Sequence, residues 1–507
     1  MRIESDFEEF RRGFESGAAQ LIWARRVCDM ETPVSAYMKL SAGRTDSVFL
    51  ESVQGGEVWG RYSIIGLDPD LIWRVTGRRG ELNDRPSTDR HAFKDDGPAL
   101  DSLRRLLADN RRQSPDGLPP MASGLFGYLG FDMARLMERL PERAPPDPLG
   151  LPDAVLVRPT LIAIFDALKL EVIFVARARP AAGATAEAAW RRACAALESA
   201  NDALDSPLPD LPPPADENSV LEFRANMSAG DFKTMVEEAK EHIRAGDIFQ
   251  VVPSQRFSAP FPAPPIALYR VLRRTNPSPF LFFLDFDEAA IVGSSPEILV
   301  RLRGRDVTVR PIAGTRPRGA TPEEDAALER DLLADPKERA EHLMLLDLGR
   351  NDVGRSSEIG SVQVTEQFTI ERYSHVMHIV SNVTGKLAQG EDALSALIGG
   401  FPAGTVSGAP KIRALEIIDA LEPHRRGVYA GAVGYFAANG DMDTCIALRT
   451  AVIKDGVMHV QAGAGIVADS DSQAEYEETR NKARALIKAA EIALGLGQAS
   501  DSRRKTP

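Results

Sequence analysis

Cysteine is scarce in this chain: three in 507 residues, at positions 28, 194 and 445. Their wide spacing leaves no CxxC pair, so neither a zinc site nor a disulfide framework is indicated. That usage suits a reducing compartment, and a cytoplasmic location is expected. None of the three sits in an HxC or GxCxG context, so no thiol nucleophile is supported. Long apolar runs are missing too. No stretch reaches the roughly 18 apolar residues of a membrane span, so no membrane association is expected. The N-terminus, MRIESDFEEF, lacks the basic and apolar regions of a secretory signal. There is no polybasic run and the formal net charge is −12, so nucleic acid is not an expected partner. No repeat of fixed period occurs. The glycine-rich FPAGTVSGAPK (401–411) has neither the GxxxxGK(S/T) nor the GxSxG spacing, which removes a phosphate loop and a serine-hydrolase elbow.

What is present suggests two units, because 507 residues exceed one ordinary core. The clearest break is DSPLPDLPPPADEN (205–218), proline-rich and acidic, read as a linker or exposed loop. It divides an N-terminal α+β unit (1–204) from a C-terminal unit (219–498), with a frayed tail at 499–507. In the first unit, residues 47–53 and 59–66 read as a hairpin about Gly55-Gly56, and 98–112 as an amphipathic helix. The second opens on a helix that Ser228 and Asp231 can cap, with Phe232, Val236, Ala239 and Ile243 as its apolar stripe and Gly246 as its stop. Strands are expected at 248–257, 290–293, 298–303, 306–310, 375–384, 431–436, 444–453 and 457–463. Few helices separate the later strands, which favours an α+β fold of antiparallel sheets packed with helices.

Two segments place carboxylates at helical spacing. In DPKERAEHLMLLDLG, Asp335 and Pro336 start a helix that sets Glu338 and Glu341 on one face. After Ser472, read as a capping box with Glu475, the residues Glu475, Glu478 and Lys482 share a face. Each is read either as a solvated acidic surface or as a hard-metal ligand beside a general acid. If the helices face each other, their carboxylates repel, and a Mg²⁺ ion between them would relieve the cost. Gly463 and Gly465 in QAGAGIV either offer main-chain N–H groups to an anion or serve a sharp strand-to-helix connection. Arg449, on an expected strand, is a carboxylate clamp or half of a structural ion pair. His378 alternates with Val376 and Val380 and is a core histidine or a functional one. Pattern alone stops at an α+β protein, with a Mg²⁺ enzyme for an anionic metabolite as one reading.

Six segments, taken together, resemble the chorismate-utilising enzymes: PIAGTRPRG (311–319), ERAEHLMLLDLGRND (338–352), YSHVMHIVS (373–381), FPAGTVSGAPK, GVYAGAVGYF (427–436) and QAGAGIVADSD (461–471) with its following helix. VFLESV (48–53), GRYSIIG (60–66) and GLFGYLGFDMARLME (124–138) are similar to the regulatory half of the component I anthranilate synthases. The resemblance implies the aminodeoxychorismate synthase-like fold and a Mg²⁺-dependent conversion of chorismate and ammonia to anthranilate and pyruvate. This is a lyase step that commits carbon to L-tryptophan. It implies Glu341 and Glu478 as metal ligands, Glu338 as general acid and His378 as assisting pyruvate release. Substrate contacts would come from Gly314, Thr315, Tyr429, Arg449, Gly463, Ala464, Gly465 and Lys482.

Ala313 stands where aminodeoxychorismate synthases carry a nucleophilic lysine. Gln255 is aligned with the water-activating lysine of isochorismate and salicylate synthases. Both differences point away from those alternatives and toward amination. With no activated cysteine, ammonia would come from a separate glutamine amidotransferase subunit, in a heterotetramer of two large and two small subunits. A tryptophan feedback pocket is implied at Glu51, Ser52, Pro279, Phe280, Leu281, Tyr435 and Cys445, with Glu51 facing the ligand ammonium. A reading from another class, an inert tryptophan-binding regulator, is disfavoured because Glu338, Glu341, His378, Arg449 and Glu478 are all present.

Overall fold

Alternating strands from both ends of the chain meet in one sheet network. The computed structural model describes residues 1–54, 58–142, 144–181, 183–209, 221–373 and 376–495. Among them, 22 strands form a continuous, hydrogen-bonded sheet system, and the paired registers are antiparallel. An antiparallel sheet of this kind with helices on its faces is the expected α+β class. Two pairings join the halves of the sequence. Strand Ser47–Gln54 pairs with Phe280–Asp285, and Gly124–Leu129 pairs with Ala432–Ala437. Each of the three large buried clusters mixes residues from before and after the proline-rich break. Positions 210–218 of that break, the tail at 499–507 and the Gly55-Gly56 turn lie outside the described residues.

Local chemistry explains most element ends. Helix Ala229–Arg244 starts on the expected capping box: Ser228 Oγ accepts from the Asp231 N–H at 3.1 Å, and the Asp231 carboxylate accepts from the Ser228 N–H at 3.2 Å. Such a cap contributes about 1 kcal/mol. Phe232, Val236 and Ala239 are buried, and Gly246 turns the chain at φ +81°. The 98–112 helix spans Ala99–Asp109. The expected strand at 248–257 is two strands, Gln250–Val251 and Ser254–Pro260, because Pro253 has no N–H to give the ladder. The expected strand at 444–453 is also broken, into Met442–Ile446 and Thr450–Lys454, with Arg449 between them at φ +47°. Ser472 is the first residue of helix Ser472–Gly495 and not its cap; Asp471 Oδ1 accepts from the Ala474 N–H at 2.8 Å. Among the described residues, no helix is long and apolar enough to cross a membrane.

Candidate active site

Both carboxylate-bearing helices open onto one cavity of about 590 Å³. Helix Pro336–Gly354 brings Glu338 and Glu341 to it; helix Ser472–Gly495 brings Glu475, Glu478 and Lys482. Asp335 fixes the first helix start by accepting from the N–H groups of Lys337 and Glu338 at 2.9 and 3.2 Å. Glu341 follows one turn later and accepts from Gln250 Nε2 at 3.1 Å. Lys337 and Asp469, 3.4 Å apart, link the two helix starts. On the second helix Lys482 lies 2.7 Å from Glu478, and its ammonium donates to the Gly463 carbonyl at 3.0 Å. That ion pair is half-exposed, so its own energy is about 0–1 kcal/mol. Its effect is positional: it ties the glutamate to the glycine turn.

The acidic wall shows its strain in two groups. Burial raises the Glu338 pKa above the ordinary carboxylate value, the Glu341 charge adds to this, and the Arg316 ion pair at 3.1 Å opposes it. Burial likewise raises Glu475, with the Glu478 charge adding. Among the described residues, no group of three or more His, Cys, Asp or Glu side chains is close enough to hold a metal alone. Carboxylates from two helices that line one cavity nonetheless suit a hard divalent cation such as Mg²⁺, which keeps waters and takes its remaining oxygens from substrate.

Beside Glu338 the Ile312–Pro317 strand carries a bulge between Ala313 and Thr315, opposite Ile379 and His378. Gly314, at φ +74°, occupies it, and a Cβ there would lie 3.1 Å from Glu338 Oε2. The freed Gly314 carbonyl meets His378 Nδ1 at 3.1 Å, and Thr315 Oγ1 stands 3.0 Å from the same nitrogen. Burial lowers the His378 pKa, so the ring is neutral at pH 7.

Arg449 lines the cavity, and no ion pair or hydrogen bond engages its guanidinium among the described residues. Burial lowers its pKa from the usual value. The structural ion pair considered for it is therefore absent from the described residues. Nearby Tyr429 is buried over Arg426, 5.6 Å from its ring centroid, and burial pushes its phenol up to about 12. Gly463 and Gly465 line the cavity, where side chains would collide with Tyr429, Pro253 and Gln250. Ala464 does not: its methyl is in the core, and its N–H donates to the Pro253 carbonyl at 3.1 Å.

Sequence reasoning missed Gln250 and Glu297 as cavity residues. Glu475, read as a cap partner that shares a helix face with Glu478 and Lys482, lines the cavity with them. Gln250 is the glutamine that faces the cavity; Gln255 is buried, donating to Thr479 Oγ1 at 2.7 Å, so it does not hold the position assigned to it. Glu297 is buried, accepts from the Thr405 hydroxyl at 3.1 and 3.2 Å, and has no cation beside it among the described residues. Burial pushes its pKa up to about 8, so it is a carboxylic acid at neutral pH. The signal for it was a glutamate inside the apolar run SSPEILV (294–300), which has to be neutralised or paired when buried.

A second cavity of about 620 Å³ collects every residue expected of the feedback pocket: Glu51, Ser52, Pro279, Phe280, Leu281, Tyr435 and Cys445. Strand register brings them together, pairing Glu51 with Leu281 and Ser52 with Phe280. The Glu51 carboxylate is already engaged. It accepts from Tyr269 at 2.6 Å, from Arg273 at 2.7 and 3.1 Å, and from Ser63 at 3.2 Å. Those four bonds fill its acceptor positions. Asp443 also lines this cavity, and its Oδ2 accepts from Arg301 at 3.2 Å and from Arg303 at 2.7 Å.

The chain belongs to the chorismate binding enzymes, whose family model matches residues 69–488. Within that family it is similar to the anthranilate synthase component 1 of Cereibacter sphaeroides, 59% identical over 490 residues that cover 96% of this chain and 98% of the relative. The crystal structure of anthranilate synthase component I from Streptococcus pneumoniae superposes with a TM-score of 0.75 at 40% identity, covering 84% of this chain and 92% of that one. The menaquinone-specific isochorismate synthase of Escherichia coli shares the fold at 20% identity, with a TM-score of 0.69 and coverage of 96% and 98%.

Proposed function

We propose that the chain is the chorismate-converting subunit of an anthranilate synthase, acting in the cytoplasm in L-tryptophan biosynthesis. The observation that carries this reading is one cavity lined both by the two carboxylate-bearing helices and by Arg449, which has no ion pair among the described residues. Chorismate has two carboxylates, and the site offers a different partner for each. Arg449 and Tyr429 take the enolpyruvyl carboxylate, a role suited to a fixed guanidinium fork. Glu341 and Glu478 would hold Mg²⁺, which when bound supplies the positive charge for the ring carboxylate. Thr315 and the main chain at Gly314, Gly463 and Gly465 shape the walls around the ring.

The chemistry divides between two groups. Ammonia adds at ring C2 while the C4 hydroxyl leaves, and the leaving oxygen takes a proton to depart as water. The donor in this reading is Glu297, because it is protonated at neutral pH and no cation among the described residues stabilises its charged form. Glu338, first expected in that role, is held by Arg316 and stands beside Glu341. His378 then removes the C2 proton as the C3–O bond breaks, releasing enolpyruvate, which is protonated to pyruvate, and leaving an aromatic ring. Gln250 and Ala313 cannot act as lysine does, either as base toward water or as nucleophile.

Ammonia from glutamine requires an activated cysteine elsewhere. Burial raises the pKa of Cys28, Cys194 and Cys445, which disfavours a thiolate at each. A separate glutamine amidotransferase subunit therefore completes the enzyme, in a heterotetramer of two copies of each. The Glu51 cavity is read as the L-tryptophan feedback site. The decisive assay supplies chorismate, Mg²⁺ and ammonium: anthranilate fluorescence with equimolar pyruvate is expected. Aminodeoxychorismate, or isochorismate formed without nitrogen, overturns the assignment.

A further inference from the structure

The two cavities share a wall, formed in part by Pro296 and Ile312, which line both. Tyr373 belongs to the Glu51 cavity, yet its ring meets the His378 imidazole edge-on, with centroids 5.5 Å apart and planes at 63°. Its hydroxyl donates to Glu371 at 2.8 Å, and Glu371 holds Arg310 at 2.5 Å. Arg310 and Glu371 both line the Glu51 cavity. An unbroken chain of contacts thus runs from one cavity to the reacting histidine of the other. On the catalytic side, Gly314 and Thr315 hold only Nδ1 of that ring, and Tyr373 supplies its face.

We propose that Tyr373 is a positioning residue for His378 and carries the state of the Glu51 cavity to the catalytic cavity. The relay rests on reading that cavity as the tryptophan site. An amino acid entering it brings a carboxylate, which competes with Glu371 for Arg310. Glu371 then moves and draws the Tyr373 hydroxyl bonded to it along, so that the ring turns and the imidazole loses its support; a ring without the hydroxyl is not drawn and stays in place. The effect is a coupling between two arrangements of one packed element, which needs no large rearrangement.

The test uses the full chain with Mg²⁺ and ammonium, labelled at histidine for NMR, with His378→Asn assigning the signal. Tyr373→Leu is expected to lower kcat about tenfold with KM within about twofold, and Tyr373→Phe, which keeps the ring, to restore kcat to within about threefold of the parent. In the parent, L-tryptophan is expected to bind by calorimetry and shift the His378 signal. In Tyr373→Phe it still binds, the signal stays, and inhibition at saturation weakens by about fivefold or more. Full inhibition of Tyr373→Phe overturns the relay. A Tyr373→Leu enzyme with parental His378 signals and kcat overturns the positioning role. If tryptophan fails to bind even the parent, the feedback reading of the cavity falls and the relay with it, while the kcat and NMR comparison still decides the positioning role.

Discussion

Nδ1 of His378 lies 3.1 Å from the carbonyl oxygen of Gly314, and this contact decides which ring nitrogen serves as a base. A carbonyl only accepts, so Nδ1 carries the hydrogen and Nε2 keeps the lone pair. Replacing the imidazole by a side chain of similar length removes that lone pair. His378→Met is expected to slow pyruvate release by roughly 10²–10⁴-fold while amination continues. The aminated, pyruvate-bearing intermediate should accumulate in chromatograms of quenched reactions; a normal anthranilate yield would refute the role.

The same contact depends on Gly314 being glycine. Gly314→Ala must adopt φ +74° and place a methyl 3.1 Å from Glu338 Oε2. We expect a stability loss of about 1–2 kcal/mol from the left-handed backbone. A larger fractional loss of turnover is expected, because the bulge aims both the carbonyl and Thr315 at His378. Urea midpoints compared with kcat would separate the two effects, and equal losses would mean the bulge is merely structural.

Glu297 predicts a pH dependence. Its pKa is raised by burial to about 8, so catalysis that needs the acid falls as pH rises through that value. The stability sign follows from the same shift. The protonated side chain is tolerated below the unfolded pKa, and stability is lost progressively as pH rises toward and through about 8. Glu297→Gln should remove both the high-pH decline in stability and, by roughly 10²-fold or more, the activity. A kcat/KM profile that keeps its basic limb in the variant would assign the proton elsewhere.

Glu341 and Glu478 come from different helices and should fail alike. Glu341→Gln and Glu478→Gln are each expected to weaken the apparent Mg²⁺ affinity by roughly tenfold or more. Titration of activity against Mg²⁺, paired with calorimetry of metal binding, checks this. Parental Mg²⁺ dependence in either variant would exclude that residue as a ligand.

Ser52 lines the Glu51 cavity opposite Phe280 in the sheet register. The Ser52 hydroxyl already occupies the space beside Gly60, where a Cβ would lie 1.8 Å from it, so a larger side chain at position 52 turns into the cavity. Ser52→Phe should weaken tryptophan binding by roughly tenfold or more through overpacking. Calorimetry reads the effect directly, and unchanged affinity would place the amino-acid site elsewhere.

Local features of these sites were legible in the sequence. The Asp335 cap and Pro336 start, the Glu338–Glu341 spacing and the Ser228–Asp231 box are properties of a few adjacent residues. Local sterics and hydrogen bonds decide them wherever the helix is placed. Resemblance across several segments extended this to the family. Strand continuity was less legible. The breaks at Pro253 and Arg449 are single-residue events inside apolar runs, and periodicity reads through them.

Which residues share a cavity is a different kind of information. Glu297 and Gln250 lie far in sequence from the glutamates they face, and neither belongs to a carboxylate pair at helical spacing. Glu51 looked like a free carboxylate until Arg273 and Tyr269 were found on it. By itself the sequence determined helix starts, carboxylate spacing and family, because these follow from short-range geometry and ordered motifs. Only the tertiary structure decided that the two acidic helices open onto one cavity, which carboxyl is buried and protonated, and that Tyr373 stands between the two cavities. Those outcomes depend on long-range strand register and burial, which set distance and dielectric between residues that the chain order keeps apart.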